Sequence, residues 1–127
     1  MKKEASEWIE KAEEDYAAAL SMMELARPKL YAPICFHAQQ CIEKYLKALL
    51  TEQDIYFAKT HDLISLLNML LEHYPEWELY RDPLRTLNRY AVEYRYPGEE
   101  SVTRSIAQDA LDILEDTKTL ILSKLVF

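Results

Sequence analysis

Four polar side chains on one predicted helix are the first candidates for chemistry in this chain. They are Gln40, Glu43, Lys44 and Lys47. Their spacings of three and four residues are those of a shared helix face. The lysines could bind phosphate oxygens, the glutamine could hydrogen-bond a base edge, and the carboxylate could orient a ribose or a lysine. The alternative is a solvated face, on which Glu43 and Lys47 form an i,i+4 ion pair worth about 0.3–0.5 kcal/mol.

A second candidate is the tripeptide Thr60-His61-Asp62, which precedes a run of leucines. A histidine in the first turn of a helix could act as a base or bind a phosphate. The structural alternative makes Thr60 the N-cap and His61 a packed imidazole, with Asp62 placed favourably in the helix dipole. Spacing alone favours this structural alternative.

An arginine stripe with interleaved tyrosines is the third candidate. Its members are Arg81, Arg85, Arg89 and Arg95, with Tyr90, Tyr94 and Tyr96. Residues 81–95 hold four arginines against Asp82 and Glu93, a net charge of +2 in a chain of net charge −7. Arginine beside aromatic rings suits a nucleotide or single-stranded RNA. Equally, the stripe could be a solvated basic face that pairs with the acidic first helix or with a second subunit.

Metal binding and nucleophilic catalysis find little support. His37 and Cys41 are four residues apart and could supply two ligands, but no further ligand is spaced to complete a site. Cys35 and Cys41 are separated by about 240° on a helix, so they cannot bridge each other and are expected to be buried thiols. With a single Gly and no Gly-x-Ser-x-Gly motif, no phosphate loop or nucleophile elbow can form. We therefore expect no metal and no cofactor.

Composition predicts one all-α domain over residues 1–127. Half of the residues are hydrophobic, and the one Gly and five Pro leave long periodic runs uninterrupted. No apolar run approaches the roughly 18 residues that a membrane span needs, and the N-terminus does not resemble a signal peptide, so a cytoplasmic protein is expected. The net charge of −7 disfavours nonspecific binding of nucleic acid by the whole surface.

Hydrophobic periodicity predicts five helices, over about residues 4–25, 31–53, 61–73, 83–94 and 101–125. The second should be the most buried. The first should bury a stripe of Trp8, Ala12, Tyr16, Ala19, Leu20 and Met23, with its acids, Asp15 included, on the solvated side. Short connections favour an up-and-down helical bundle of four main helices plus a shorter fifth helix. The fourth helix in the chain is expected to be that shorter member.

The motifs, in their order along the chain, resemble one family. They are Trp8 in the first helix, then Phe36-His37-Ala38-Gln39-Gln40 leading into Glu43-Lys44 and Lys47-Ala48, then Thr60-His61-Asp62-Leu63, and finally Tyr94-Arg95-Tyr96-Pro97. This order resembles the HEPN domain, the "higher eukaryotes and prokaryotes nucleotide-binding" family, over nearly the whole chain. The resemblance implies a homodimer in which helices two and four, or their neighbours, line a groove. It also implies a small nucleotidyltransferase as partner, commonly in a toxin–antitoxin pair.

Many members of the family that this chain resembles are metal-independent ribonucleases, whose site is an Arg followed, after four to six intervening residues, by a His. No such pair occurs in this chain. The corresponding positions after Arg95 are Glu100, Ser101 and Val102, and the last histidine is His73. The ribonuclease chemistry needs an imidazole near the scissile phosphate as acid or base. A ribonuclease with an atypical site, built from Arg95 and a His brought near by folding, stays an alternative.

The resemblance places nucleotide binding on seven positions, which are Gln40, Glu43, Lys44, Lys47, His61, Arg95 and Tyr96. The leading hypothesis is a non-catalytic protein that binds a nucleotide, or RNA, or a nucleotidyltransferase partner. In it Lys44, Lys47 and Arg95 contact phosphate, and Tyr96 stacks on a base or supports Arg95. A third hypothesis is a purely structural, dimeric interaction module.

Overall fold

The computed structural model describes residues 1–93, 97 and 101–125. Its α-helices are α1 (Lys3–Leu25), α2 (Tyr31–Glu52), α3 (Leu63–Leu70), α4 (Arg81–Glu93) and α5 (Arg104–Leu122). Single 3-10 segments, Pro28–Leu30 and Pro75–Tyr80, lead into α2 and α4. No strand occurs within the described residues. The predicted all-α bundle of five helices is therefore confirmed.

Helix α2 is the centre of the bundle and contacts each of the other four helices. Fourteen of its 22 residues are buried, as predicted for the most buried helix. A helix that is apolar around most of its circumference can lose its hydrated surface only by being surrounded. Any functional side chain on α2 therefore lies against a neighbouring helix or in a gap between two of them.

Helix α1 packs on α2 through alanines rather than through its largest side chains. Ala5, Ala12 and Ala19 recur every seven residues, two helical turns, and are fully buried. Their small side chains put α1 close to α2 and turn the contact face away from Leu20, which is 40% exposed. The prediction of Leu20 in the apolar stripe was therefore wrong, and so was the solvated position of Asp15, which is 8% exposed.

Two predictions about the short helices were also wrong. Helix α3 begins at Leu63, because the side chain of Asp62, and not that of Thr60, accepts the hydrogen bond from the Ile64 N–H. The Thr60 hydroxyl instead accepts from the Asp62 N–H, a local turn that holds the preceding backbone outside the helix. The fourth helix was expected to be the shorter member, but α3 has eight residues and α4 has 13.

Helix α4 faces the core through Leu84, Leu87 and Ala91, as predicted. Tyr94, predicted to face inward as well, and the predicted turn at Gly98 lie outside the described residues. Pro83 lies in the first turn of α4, where its missing N–H costs no helical hydrogen bond. Among the described residues no helix combines the length and the apolar character needed to cross a membrane.

Candidate functional site

An open groove of about 520 Å³ lies where α2, the start of α3 and the end of α4 meet. It is lined by Phe36, Gln39, Gln40, His61, Asp62, Asn88, Ala91 and Val92. Helices α2 and α4 thus line a groove within a single chain. The polar lining residues come from α2, from the segment before α3 and from α4, so the groove exists only in the folded chain.

Three side-chain amides in the groove form a hydrogen-bonded chain, here called the amide relay. Asn88 donates through Nδ2 to Asp62 Oδ1 at 2.8 Å, and Gln39 donates through Nε2 to Asn88 Oδ1 at 3.3 Å. Gln40 donates through Nε2 to Gln39 Oε1 at 2.8 Å. Gln39 Nε2 also donates to the backbone carbonyl of His61 at 2.7 Å. The relay therefore ties α2, α4 and the segment before α3 together.

A buried ion pair lies one turn further along α2. Glu43 is 2% exposed and Lys47 is 4% exposed, and Lys47 Nζ donates to Glu43 Oε2 at 3.3 Å. The other carboxylate oxygen, Oε1, lies 2.8 Å from His61 Nδ1. An ionised carboxylate only accepts, so this contact places a proton on Nδ1. The His61 side chain is itself 72% exposed, and the predicted packed imidazole was wrong.

The ammonium of Lys47 is held in the interior by aromatic rings as well as by its carboxylate partner. Its Nζ lies 5.3 Å from the ring centroid of Trp8 and 6.0 Å from that of Phe57. Both distances allow a cation–π attraction, which is stronger where water is excluded. The Lys47 ammonium is thus occupied within the fold, and Lys47 is not among the residues that line the groove.

Lys44 belongs to a different cluster, at the interface of α1 and α2. Its Nζ donates to Asp15 Oδ2 at 2.5 Å, and His37 Nδ1 lies 2.8 Å from Asp15 Oδ1. Both oxygens of this buried carboxylate are therefore engaged. Lys44 follows Glu43 directly, and successive helical residues point about 100° apart. The predicted four-residue patch is therefore divided between the groove, the interior pair and the Asp15 cluster.

The described arginines of the stripe pair with acids of their own segment. Arg81 binds Glu78, Arg85 approaches Asp82 and Arg89 approaches Glu93, each three or four residues away. None of these partners lies on the acidic first helix. Arg95 and Tyr96, predicted to contact phosphate and base, lie outside the described residues.

Asp62 places a negative charge at the groove. Burial raises the pKa of its carboxyl, but hydrogen bonds from Ser65, the Ile64 N–H and Asn88 outweigh burial and leave the pKa below its usual value. The carboxylate is therefore ionised at neutral pH. No lysine or arginine of the described chain lines the groove. Its described walls thus combine one anion, an imidazole, three amides and apolar surface.

Two groove residues, Gln39 and Asn88, were missed as site residues by sequence reasoning. A usable signal existed for Asn88, which lies four residues after Leu84 and three before Ala91 on the buried stripe of α4. A polar residue on such a stripe needs a hydrogen-bonding partner. No comparable signal identified which helix would supply that partner.

The two thiols lie in the core and not in the groove. Cys35 and Cys41 are free and fully buried, as predicted. Burial raises the pKa of Cys35 to about 12, and it raises the pKa of Cys41 as well. Within the part of the chain that the structure describes, no group of three or more His, Cys, Asp or Glu side chains could hold a metal ion.

Comparison with known proteins identifies the family. The chain is similar to TT1696 from Thermus thermophilus, whose crystal structure matches with a TM-score of 0.85 and 29% sequence identity. That match covers 98% of this chain and 100% of the other. No curated protein matches the chain. The sequence matches the HEPN domain family over residues 5–123. Because this match spans nearly the whole sequence, the protein belongs to the HEPN domain family.

Proposed function

We propose that the groove binds a nucleotide and that the protein carries out no chemistry on it. The observation that supports this most is the exposed imidazole of His61, which projects beside the groove while the buried Glu43 carboxylate holds its Nδ1 at 2.8 Å. A polar group held in one orientation in this way loses less conformational entropy when it binds a ligand. Phe36 and the amides supply the stacking and hydrogen-bonding groups that a base needs.

The proposed binding residues take different roles in this arrangement. Gln40 and His61 contact the ligand. Glu43 orients the His61 imidazole from the interior, and Lys47 pairs with Glu43. Lys44 holds the α1–α2 interface through Asp15, so its proposed phosphate contact requires exchange of that partner. Arg95 and Tyr96, which follow α4 in the sequence, remain the proposed phosphate and base contacts.

Calorimetry and thermal unfolding with ATP, GTP and short RNAs test this function. A ligand at 100 times its dissociation constant stabilises the fold by about 2.7 kcal/mol. The His61→Ala variant should lose this stabilisation, whereas His73→Ala, which changes an exposed histidine outside the groove, should keep it. The proposal would be contradicted if millimolar ligand produced no heat of binding and no thermal stabilisation.

One observation favours a second candidate, a ribonuclease with an atypical site. Bonding of His61 Nδ1 to Glu43 leaves Nε2 as the nitrogen that could accept a proton. Labelled RNA should then be cleaved by the purified protein, and cleavage should be lost in both His61→Ala and Arg95→Ala. RNA left intact by the unaltered protein would rule this candidate out.

We further propose that the protein acts in the cytoplasm as a homodimer beside a small nucleotidyltransferase, in the manner of a toxin–antitoxin pair. Family membership supports this proposal. Sedimentation of the purified protein, alone and with the nucleotidyltransferase of a neighbouring reading frame, tests it. A monomer that does not bind that enzyme would refute it. If Lys44→Ala changed the oligomer mass and not ligand binding, the structural-module alternative would be favoured.

A further inference from the structure

Gln40 keeps hydrogen-bonding capacity unused at the groove. One N–H of its amide donates to Gln39 Oε1. Its second N–H and its carbonyl oxygen form no hydrogen bond with any side chain or backbone group of residues 1–93, 97 and 101–125. The residue is half-buried and lines the groove. It therefore offers a bound molecule one donor and one acceptor.

The amide relay fixes which end of the Gln40 amide is nitrogen. The Asp62 carboxylate only accepts, so Asn88 must present Nδ2 to it and Oδ1 to Gln39. The Leu63 N–H also donates to Asn88 Oδ1, at 3.4 Å. Gln39 must then present Nε2, and the His61 carbonyl, which only accepts, holds the same nitrogen.

The carbonyl oxygen of Gln39 consequently faces Gln40. A reversed Gln40 amide would place two carbonyl oxygens together in place of the 2.8 Å hydrogen bond. The side-chain amide of Gln40 is thus held in one orientation by groups on α2, on α4 and at the N-cap of α3. Most surface glutamines have no such constraint, because their amides rotate freely in water.

The charge at the groove argues for a neutral group beside Gln40. Asp62 is an anion, and no lysine or arginine of the described residues lines the groove. A phosphate placed directly beside Asp62 would be repelled by its carboxylate. A heterocyclic base is neutral, stacks on an aromatic ring such as Phe36 and buries apolar surface on Ala91 and Val92.

We infer that the groove binds an adenine base, which the amide of Gln40 reads. Adenine presents an amino donor beside a ring-nitrogen acceptor, and a glutamine amide pairs with both at once. In hypoxanthine a carbonyl replaces the amino group, so the fixed amide would face it oxygen to oxygen. Cytosine shares the donor–acceptor order of adenine, but its single ring covers less of Phe36. The inference rests on the proposed function and specifies its ligand.

Equilibrium titrations of the full chain with adenosine, inosine and cytidine test the assignment. Adenosine should bind about tenfold or more tightly than inosine, the discrimination that one bidentate base contact provides. It should also bind more tightly than cytidine. Equal affinities for adenosine and inosine, or cytidine binding as tightly as adenosine, would overturn the inference.

A variant pair separates the role of the amide from that of the fold. Gln40→Met keeps the length of the side chain and removes both polar atoms, so it should bind adenosine and inosine equally. Gln108→Met, on the exposed face of α5, should keep the full preference. Circular dichroism melts of both variants verify that each is folded. A Gln40→Met protein that is folded and still prefers adenosine would refute the role of the amide.

Titration with ATP and GTP distinguishes failure of the inference from failure of the proposed function. If both nucleotides bind while adenosine and inosine do not differ, nucleotide binding stands and adenine recognition falls. If no nucleoside and no nucleotide binds at millimolar concentration, both are refuted.

Discussion

Glu43 and Lys47 are an ion pair that the fold removes almost completely from water. Removing one partner of such a pair leaves the other as a buried, uncompensated charge. The pair also determines the orientation of His61, because the Glu43 carboxylate accepts from both neighbours. Stability and the geometry of the groove therefore depend on the same carboxylate.

Glu43→Gln should destabilise the protein by about 3–5 kcal/mol, since Lys47 would keep its charge in the interior. Urea unfolding of the variant, followed by circular dichroism, measures the change in free energy. Glu93→Gln is the matched control, because Glu93 and Arg89 are also four residues apart but half exposed. The control should unfold close to the unaltered protein. Equal destabilisation of both variants would contradict this account of the buried pair.

The raised pKa of Tyr16 leads us to expect a loss of stability in alkaline solution. Its hydroxyl donates to Glu115, and this bond, together with burial, raises the pKa of Tyr16 from 10.0 to about 12. The folded state thus holds the proton more tightly than the unfolded state, and its advantage is complete below pH 10. Stability should fall as the pH rises from about 10 to about 12.

Tyr16→Phe has no phenolic proton and should show a shallower decline over the same pH range. Denaturant midpoints at intervals of pH measure both slopes. Burial raises the pKa of Tyr45 in both proteins, so the difference between the two slopes reports mainly on Tyr16. Identical slopes for the two proteins would show that the Tyr16–Glu115 bond does not retain the proton.

At the scale of the helices, Asn88 joins three elements. It accepts from Gln39 of α2 and from the Leu63 N–H of α3, and it donates to the N-cap Asp62. A single side chain on α4 thus satisfies a backbone donor at the start of one helix and a side chain in the middle of another. The position of α4 beside α2, and with it the width of the groove, depends on these bonds.

Asn88→Ala should destabilise the fold by about 1–3 kcal/mol, because it leaves donors of Gln39 and Leu63 without an acceptor. Chemical denaturation measures the loss. Asn68→Ala is the matched control, since Asn68 is exposed and its side-chain oxygen accepts a hydrogen bond from Arg81. A control variant that loses as much stability as Asn88→Ala would refute the joining role of Asn88.

For the molecule as a whole, the two cysteines report on global unfolding. Both are fully buried on the central helix, where α1 and the other helices cover it. A thiol reacts as the thiolate, and burial raises the pKa of Cys35 to about 12, so little thiolate exists at neutral pH.

Both thiols should therefore resist a disulfide reagent in the native protein and react fully in concentrated urea. The rate at intermediate urea should follow the population of unfolded protein. Rapid reaction of either thiol in the native protein would show that the core opens locally around α2.

Much of the fold follows from the hydrophobic periodicity of the chain and from the positions of its helix-breaking residues. The positions of Leu63, Leu66, Leu67 and Leu70 on one face, and the broad apolar surface of α2, depend only on local spacing. Helix ends were less predictable, as the N-cap at Asp62 shows, because Thr60 and Asp62 both carry suitable acceptors. Competition between neighbouring caps is decided by the path of the backbone into the helix.

The sequence by itself determined the all-α class, the central place of α2, the buried thiols and the family order of motifs. Only the tertiary structure decided which partners the polar residues on α2 bind. Lys44 pairs with Asp15 of α1, Glu43 with His61 ahead of α3, and Gln39 with Asn88 of α4. Spacing determines which side chains share a helix face. Their partners come from residues 18 to 49 positions away, and only packing brings those together.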